Sequence, residues 1–245
     1  MNKQLNVIIL AAGRGSRMNS ELPKTLCEIN NKPMLFYVLD NVITLNPYKI
    51  VIVVGYKKEL IIEKVKEYPY KNIEFVEQKE TLGTGHAVMV TKDLMYQYGN
   101  STLIFFGDNP CISNLTLNEM VKHHFDNNYD GTLLTYDDEF THMKRGRIIR
   151  ENNKIMEIHE DEDELYPSNE YNGGIQIYKN KIMYSALDKI NRNNKQNEYY
   201  LGDVVKIIVD GGGIIGNIKV DDISELLNVN TQIDLKNATR LITFT

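Results

Sequence analysis

Cysteine is nearly absent from this chain. The two present, Cys27 and Cys111, lie far apart and have no metal-ligand spacing. That excludes a disulfide framework and a thiolate metal site, and it predicts free thiols in a reducing compartment. Long apolar runs are missing too. None could span a bilayer, and Val7-Ile8-Ile9-Leu10 is too short for a secretory h-region and runs into Arg14 and Arg17. The expectation is a cytoplasmic protein with no membrane partner. The net charge is −5, with lysine and arginine scattered among acids, so no basic patch suits a nucleic acid. There is no internal repeat, no low-complexity linker, and no Ser-His-Asp or Cys-His arrangement for nucleophilic catalysis.

What is present is a globular composition. Hydrophobic residues make up 42% of 245, enough for one large α/β domain or two small ones. Residues 7–10 form a fully apolar strand pattern. Pro33 stands where a first helical residue belongs, and Leu35, Val38, Leu39 and Val42 follow at helical spacing. Residues 50–54, 73–76 and 103–106 are further strands. Leu60, Ile61 and Val65 mark one helix, and residues 84–98 another. Strands alternating with helices predict a Rossmann-like, doubly wound, mostly parallel α/β sheet. After Gly131 short strand-like pieces crowd together, at 131–135, 147–150, 155–158 and 174–178. They predict a small antiparallel lobe on the same sheet. The acidic run at 161–164 is expected to be a solvated loop. Helical patterns return at 181–190 and 199–209. A Gly211-Gly212-Gly213 turn, a strand at 214–220 and a closing helix at 231–241 complete the chain.

The most informative stretch is Leu10-Ala11-Ala12-Gly13-Arg14-Gly15-Ser16-Arg17-Met18, followed by Pro23-Lys24. Two glycines after a buried strand let the backbone pass close to an anion with its N–H groups turned inward. Arg17 and Lys24 add two positive charges, which together describe a triphosphate cradle. The pattern lacks the third glycine of a dinucleotide fold and the Gly-Lys-Ser/Thr of a Walker loop. Asp108, in Phe106-Gly107-Asp108-Asn109-Pro110, follows another buried strand. A turn or cap aspartate is the plain alternative there. One sheet-width from a triphosphate loop, a magnesium ligand is expected. Gln78 precedes Leu82-Gly83-Thr84-Gly85-His86-Ala87, where glycines open a helix. Its amide suits the edge of a pyrimidine. His86 is expected to be structural.

The first stretch resembles the nucleotidyltransferase signature, Leu-Ala-Ala-Gly-x-Gly-x-Arg-Met followed by Pro-Lys. Gln78 with residues 82–87 is similar to the uridylyltransferase half of the bifunctional N-acetylglucosamine-1-phosphate uridyltransferase/glucosamine-1-phosphate acetyltransferase family. Further similarities follow in order: Arg145-Gly146-Arg147-Ile148, Glu160 at the family's spacing from Gly146, Tyr171-Asn172-Gly173-Gly174, Glu198-Tyr199-Tyr200-Leu201-Gly202-Asp203, and Asn228-Val229-Asn230. The order of these motifs, more than any one of them, carries the resemblance across nearly the whole chain.

The resemblance implies UTP and a sugar-1-phosphate as substrates, Mg2+ as cofactor, and pyrophosphate as a product. It implies that Leu10, Ala11, Ala12, Gly13, Gly15, Gln78, Gly83 and Thr84 bind the nucleotide. Arg17, Lys24 and Asp108 would be the catalytic residues, with the two cations on the phosphates. Asp108 and Asn230 would hold the metal. Gly146, Glu160, Asn172 and Tyr199 would line the sugar pocket. On this basis residues 1–245 form one nucleotidyltransferase domain. Residues 1–130 are its nucleotide-binding part, 131–230 the sugar-phosphate lobe with the second metal ligand, and 231–245 the closing helix.

Phe106, Gly173, Gly202 and Asn228 depart from the family's tyrosine, threonine, threonine and glycine. Three of these lie on the sugar side, so the sugar is less constrained than the chemistry. The family's acetyltransferase half is a trimerising β-helix of hexapeptide turns. No such repeat occurs here, so no acetyltransferase activity is expected, and the oligomeric state stays open. Two other readings remain open at this point: a related transferase using another nucleotide or acceptor, and a nucleotide-binding regulatory module without turnover.

Overall fold

The computed structural model describes residues 4–138, 146–160 and 168–244. Arg145 and the acidic run at 161–164 lie outside the described residues. In chain order the elements begin with β1 (Leu5–Ala11), β2 (Glu28–Ile29), β3 (Lys32–Pro33), α1 (Met34–Ile43), β4 (Lys49–Val54), α2 (Lys58–Lys66) and β5 (Ile73–Glu77). Next come α3 (Thr84–Met89), α4 (Lys92–Met95), β6 (Ser101–Phe106), α5 (Asn114–Asp126) and β7 (Gly131–Asp137). The rest are β8 (Arg147–Glu151), β9 (Lys154–His159), β10 (Glu170–Lys179), α6 (Asn180–Leu187), α7 (Asp203–Asp210), β11 (Ile215–Lys219) and α8 (Gln232–Phe244).

The main path of the sheet runs β11-β7-β10-β6-β1-β4-β5, with β8 and β9 attached through β10. The pairs β1/β4, β1/β6, β4/β5 and β7/β11 are parallel. β10 runs antiparallel to β6, β7 and β8, and β8 runs antiparallel to β9. The expected architecture is therefore present: a doubly wound, largely parallel sheet continuing into an antiparallel part. Strand side chains alternate between two apolar layers. Val7, Ile9, Ile50 and Ile52 face a core shared with Leu35, Leu39, Ile61 and Met120 from α1, α2 and α5. Ile8, Val51, Val53 and Ile104 face the opposite core, with Val88, Met183, Tyr184, Val204 and Ile208 from α3, α6 and α7. Burial on both faces is why β1 is apolar without alternation from Val7 to Ala11.

Four local expectations are corrected. Pro33 is extended at φ −52° and ψ 136°, so it precedes α1 instead of opening it. The expected helix at 84–98 is broken at Val90-Thr91, where the Thr91 hydroxyl bonds both the Val88 carbonyl and the Tyr184 hydroxyl, each at 2.7 Å. The helix expected from residue 199 begins only at Asp203, because the preceding N–H groups are used elsewhere. Tyr199 donates to the Leu82 carbonyl at 2.8 Å, and Leu201 donates to the Thr84 hydroxyl at 3.1 Å. α5 had no sequence expectation at all. Its signals are Ser113, whose Oγ accepts from the Thr116 N–H at 3.1 Å, and the buried spacing of Leu117, Met120 and His124.

A third apolar cluster joins Met18, Cys27, Ile29 and Met34 to Val229 and Ala238. It fastens α8 against the segment that follows the glycine loop. Both cysteines are free, Cys27 within this cluster and Cys111 against it, and burial pushes the Cys111 thiol up to about 11. Among the described residues no helix is long and apolar enough to cross a membrane.

Candidate active site

β1, β4, β5 and β6 are mutually parallel, so their carboxyl ends share one edge of the sheet, where a crevice is expected. The loop after β1 opens there. So do Gln78 after β5 and Gly107-Asp108 after β6. An open cleft of about 260 Å³ at this edge is lined by Leu10, Ala11, Ala12, Gly13, Lys24, Gln78, Gly83, Thr84 and Asp108. All nine were expected from the resemblance, seven as nucleotide-binding residues and Lys24 and Asp108 as catalytic ones. Gly15 is set back from the cleft. Its φ is +63°, and a Cβ there would come within 2.5 Å of the Lys24 Cβ, so its bareness makes room for that lysine.

Lys24 sits at the centre of the charged end. Its ammonium bonds Asp108 Oδ2 and, at 2.9 Å, Asn230 Oδ1. Arg17 reaches the same Asn230 oxygen at 3.2 Å. The four expected phosphate and metal residues therefore meet, although they come from three distant parts of the chain. Asn230 is presented by the start of α8. There Asp234 Oδ2 accepts from the N–H groups of Asn230 and Thr231 at 3.0 and 2.8 Å, and Thr231 Oγ1 accepts from the Asp234 N–H at 3.2 Å, a reciprocal cap. Asp108 is 8% exposed, and its Oδ1 is buried without a protein partner. A buried carboxylate oxygen with no donor is costly unless a cation completes it. Asp108 and Asn230 together offer oxygen donors, the chemistry that suits Mg2+.

A second cavity, also about 260 Å³, is lined by Gly146, Glu160 and Asn172, and shares Thr84, Phe106 and Glu198 with the first. The two spaces are contiguous. Asn172 sits at a register shift of β10, where its Oδ1 accepts from the Gly174 N–H at 3.0 Å and from Gln176 Nε2 at 3.4 Å. Gly146 and Gly202 make room for the Glu160 carboxyl, since a Cβ at either would lie 2.9 or 2.7 Å from Glu160 Oε1. This accounts for the departure at position 202: a threonine there would push Glu160 aside.

Burial, and then the Asp203 carboxylate, push the Glu160 carboxyl up to about 7. Its pKa is raised above the unfolded value of 4.5, so folding takes up a proton between those two pH values. Stability from this group is therefore full below about pH 4.5 and is lost as pH rises through about 7. Unfolding by urea at pH 5 and pH 8 should show Glu160→Gln losing less stability over that interval than the unaltered protein. Equal losses would count against a recessed, protonated Glu160.

Tyr199 does not lie where it was expected. Among the described residues lining the second cavity are Glu198, Tyr200 and Leu201, but not Tyr199. The Tyr199 ring instead stacks on His86, with centroids 6.2 Å apart, and Arg192 lies over it at 5.4 Å. The physical reason is the backbone pairing of residue 199 with Leu82 and Gly85, which turns its side chain toward α3. Sequence reasoning also passed over Thr25, Glu198 and the site role of Asn228. Thr25 lines the first cavity, and Asn228 the second; both carry a buried oxygen with no protein partner. Thr25 follows Lys24 directly and Asn228 stands two residues before Asn230, so adjacency was the available signal.

The family model described as nucleotidyl transferase matches residues 6–221. The bifunctional protein GlmU of Streptococcus mutans is 40% identical over 241 residues, covering 96% of this chain and 51% of that protein. Its Lactococcus lactis counterpart is 38% identical over 235 residues, covering 94% and 50%. The chain thus spans about half the length of the curated relatives it matches. Among solved structures, a UDP-glucose pyrophosphorylase complexed with UDP-glucose superposes with a TM-score of 0.81 at 19% identity, covering 98% of this chain and 99% of that one. The inositol-1-phosphate CTP transferase from T. maritima gives 0.75 at 18% identity, covering 99% and 96%. At such identities these two establish the shared fold.

Proposed function

The chain belongs to the nucleotidyl transferase family, and from that premise we propose that it is an N-acetylglucosamine-1-phosphate uridylyltransferase acting in the cytoplasm. The reaction is UTP plus N-acetylglucosamine-1-phosphate giving UDP-N-acetylglucosamine plus pyrophosphate. The observation that carries the reading is the pair of contiguous cavities. The one carrying Gln78 and the glycine loop takes the nucleotide, the one carrying Glu160 and Asn172 takes the sugar, and the Lys24–Asp108–Asn230 cluster lies by the first.

In this reaction a phosphate oxygen of the sugar-1-phosphate attacks the α-phosphorus of UTP. A P–O bond forms there, and the bond to the β-phosphate oxygen breaks as pyrophosphate leaves. The nucleophile is already an anion, so no general base is required. That suits a cluster of cations and amides without a nucleophile–base pair. Positioning and charge neutralisation then carry the rate. The loop from Leu10 to Gly13 cradles the triphosphate, with Gln78, Gly83 and Thr84 at the base. Arg17 and Lys24 neutralise phosphate charge, on the transferring group and on departing pyrophosphate. Gly146, Glu160 and Asn172 hold the sugar. Asp108 and Asn230 would hold Mg2+, which supplies further neutralisation of phosphate charge when bound.

The test is pyrophosphate release from UTP and Mg2+ with N-acetylglucosamine-1-phosphate, glucosamine-1-phosphate and glucose-1-phosphate in parallel. Preference for the acetylated sugar is the expected result. Activity with another of the three alone would keep the chemistry and discard the sugar assignment. No release with any of them, under conditions where UTP binds, would favour a binding module without turnover.

A further inference from the structure

We infer that His86 is a positioning residue of the nucleotide site, acting through Gln78 to set which pyrimidine the cleft accepts. The inference rests on the uridylyltransferase reading above. Gln78 is buried, 5% exposed, and lines the cleft. Its amide nitrogen lies 3.1 Å from the Gly83 carbonyl oxygen and 3.1 Å from His86 Nδ1. A carbonyl oxygen can only accept, so the nitrogen of the Gln78 amide must be on that side. One of its two protons goes to Gly83 and the other to His86. That second bond requires an unprotonated Nδ1 on His86, with the ring proton on Nε2. Among the described residues Gln78 Oε1 has no protein donor. It is the group left for whatever fills the cleft.

The consequence is chemical. A Gln side chain free to rotate can present either a donor or an acceptor and so matches uracil and cytosine alike. Here a flip would set Oε1 against two acceptors at once, Gly83 O and His86 Nδ1. The amide is therefore held as an acceptor. An acceptor pairs with the N3–H of uracil and meets a lone pair at N3 of cytosine. His86 is itself held from behind. Its ring stacks on Tyr199 at an interplanar angle of 25°, and Tyr199 is tied through its own N–H and carbonyl to Leu82 and Gly85 at 2.8 Å each. The stack places Tyr199, two steps removed from the base, in the same device.

The test measures UTP and CTP binding by calorimetry and KM and kcat for each by pyrophosphate release. The unaltered protein should prefer UTP. In His86→Leu the UTP-over-CTP ratio should fall by about tenfold, the scale of one hydrogen bond, and the change should appear in KM for UTP rather than in kcat. His86→Asn, whose side-chain oxygen can stand in for Nδ1, should restore most of the ratio. An unchanged ratio in His86→Leu, or a loss that is equal for both nucleotides, would overturn the inference. A ligand test covers the case in which His86→Leu does not fold: N3-methyl-UTP should bind the unaltered protein at least about tenfold more weakly than UTP. Equal binding would overturn the inference with no variant needed. If the unaltered protein showed no preference for UTP, the uridine reading itself would fall along with the inference.

Discussion

Asp108→Ala should lower pyrophosphate release by on the order of 10²- to 10³-fold, the usual cost of losing one element of transition-state charge stabilisation, here the carboxylate that would hold the Mg2+. Asp108→Asn should lose nearly as much, because the charge matters more than the shape. The position explains the size of the effect. Asp108 stands directly after β6, with one oxygen on the Lys24 ammonium and the other buried and unpartnered. Taking the carboxylate away also leaves Lys24, whose side chain is 13% exposed, with Asn230 as its remaining hydrogen-bond partner among the described residues. An uncompensated, largely buried ammonium is destabilising, by roughly 1–3 kcal/mol for a group that can still reach solvent. The two effects separate in a double variant. Asp108→Ala with Lys24→Met should recover most of the stability and none of the turnover. Single-turnover kinetics and urea unfolding of the three proteins would check both halves. Near-normal turnover in Asp108→Ala would remove this residue from the mechanism.

The second large effect concerns backbone. Gly83 has φ +102° and ψ 176°, a conformation that side chains other than hydrogen rarely tolerate. A Cβ there would lie 2.5 Å from the Tyr199 carbonyl oxygen and 2.9 Å from the Tyr199 nitrogen. Relief would mean separating the 82–85 loop from the 198–201 segment and breaking the two backbone bonds between them. Strain of about 1–3 kcal/mol and two hydrogen bonds at about 1 kcal/mol each put the cost of Gly83→Ala at roughly 3–5 kcal/mol. The Gly83 carbonyl that orients Gln78 would move as well, so KM for UTP should rise at least about tenfold. Gly13→Ala makes the contrast. Among the described residues, nothing beyond its two chain neighbours lies within 4 Å of a Cβ at Gly13, although Gly13 lines the cleft. Its stability should change little, while UTP affinity falls if nucleotide takes that space. Denaturation midpoints and UTP titrations of both variants would decide; the same profile for the two would count against this division of roles.

Some of the molecule was legible because its causes are local. The apolar run at 7–10 has no polar alternation, and a strand buried on both faces needs none. The spacing of Leu35, Val38, Leu39 and Val42 marks one face of α1 whatever lies against it. α5 was equally local, with a Ser113 cap and a buried 3-4 spacing, and was missed for want of a longer apolar stripe. The helix boundaries at 90 and 203 were not local. Thr91 ends α3 because Tyr184, 93 residues away, shares its hydroxyl. Residues 199–202 are kept out of α7 because the N–H groups of Tyr199 and Leu201 are taken by Leu82 and Thr84, more than a hundred residues earlier.

The sequence by itself determined the fold class, the glycine loop with its flanking cations, and the order of motifs that identifies the family. The elements and each single motif depend on residues near one another in the chain, where sterics, periodicity and charge act directly, and their order is read along it. Only the tertiary structure decided which atoms meet at the cleft. Lys24 meets Asp108 across 84 positions and Asn230 across 206, and that meeting exists because parallel crossovers and the α8 cluster carry distant segments to one sheet edge. The same holds for Gln78. Its identity suggested a pyrimidine, but an amide is symmetric in shape and opposite in polarity at its two ends. Which end is offered follows from Gly83 and His86, a choice made by hydrogen-bond partners rather than by residue type.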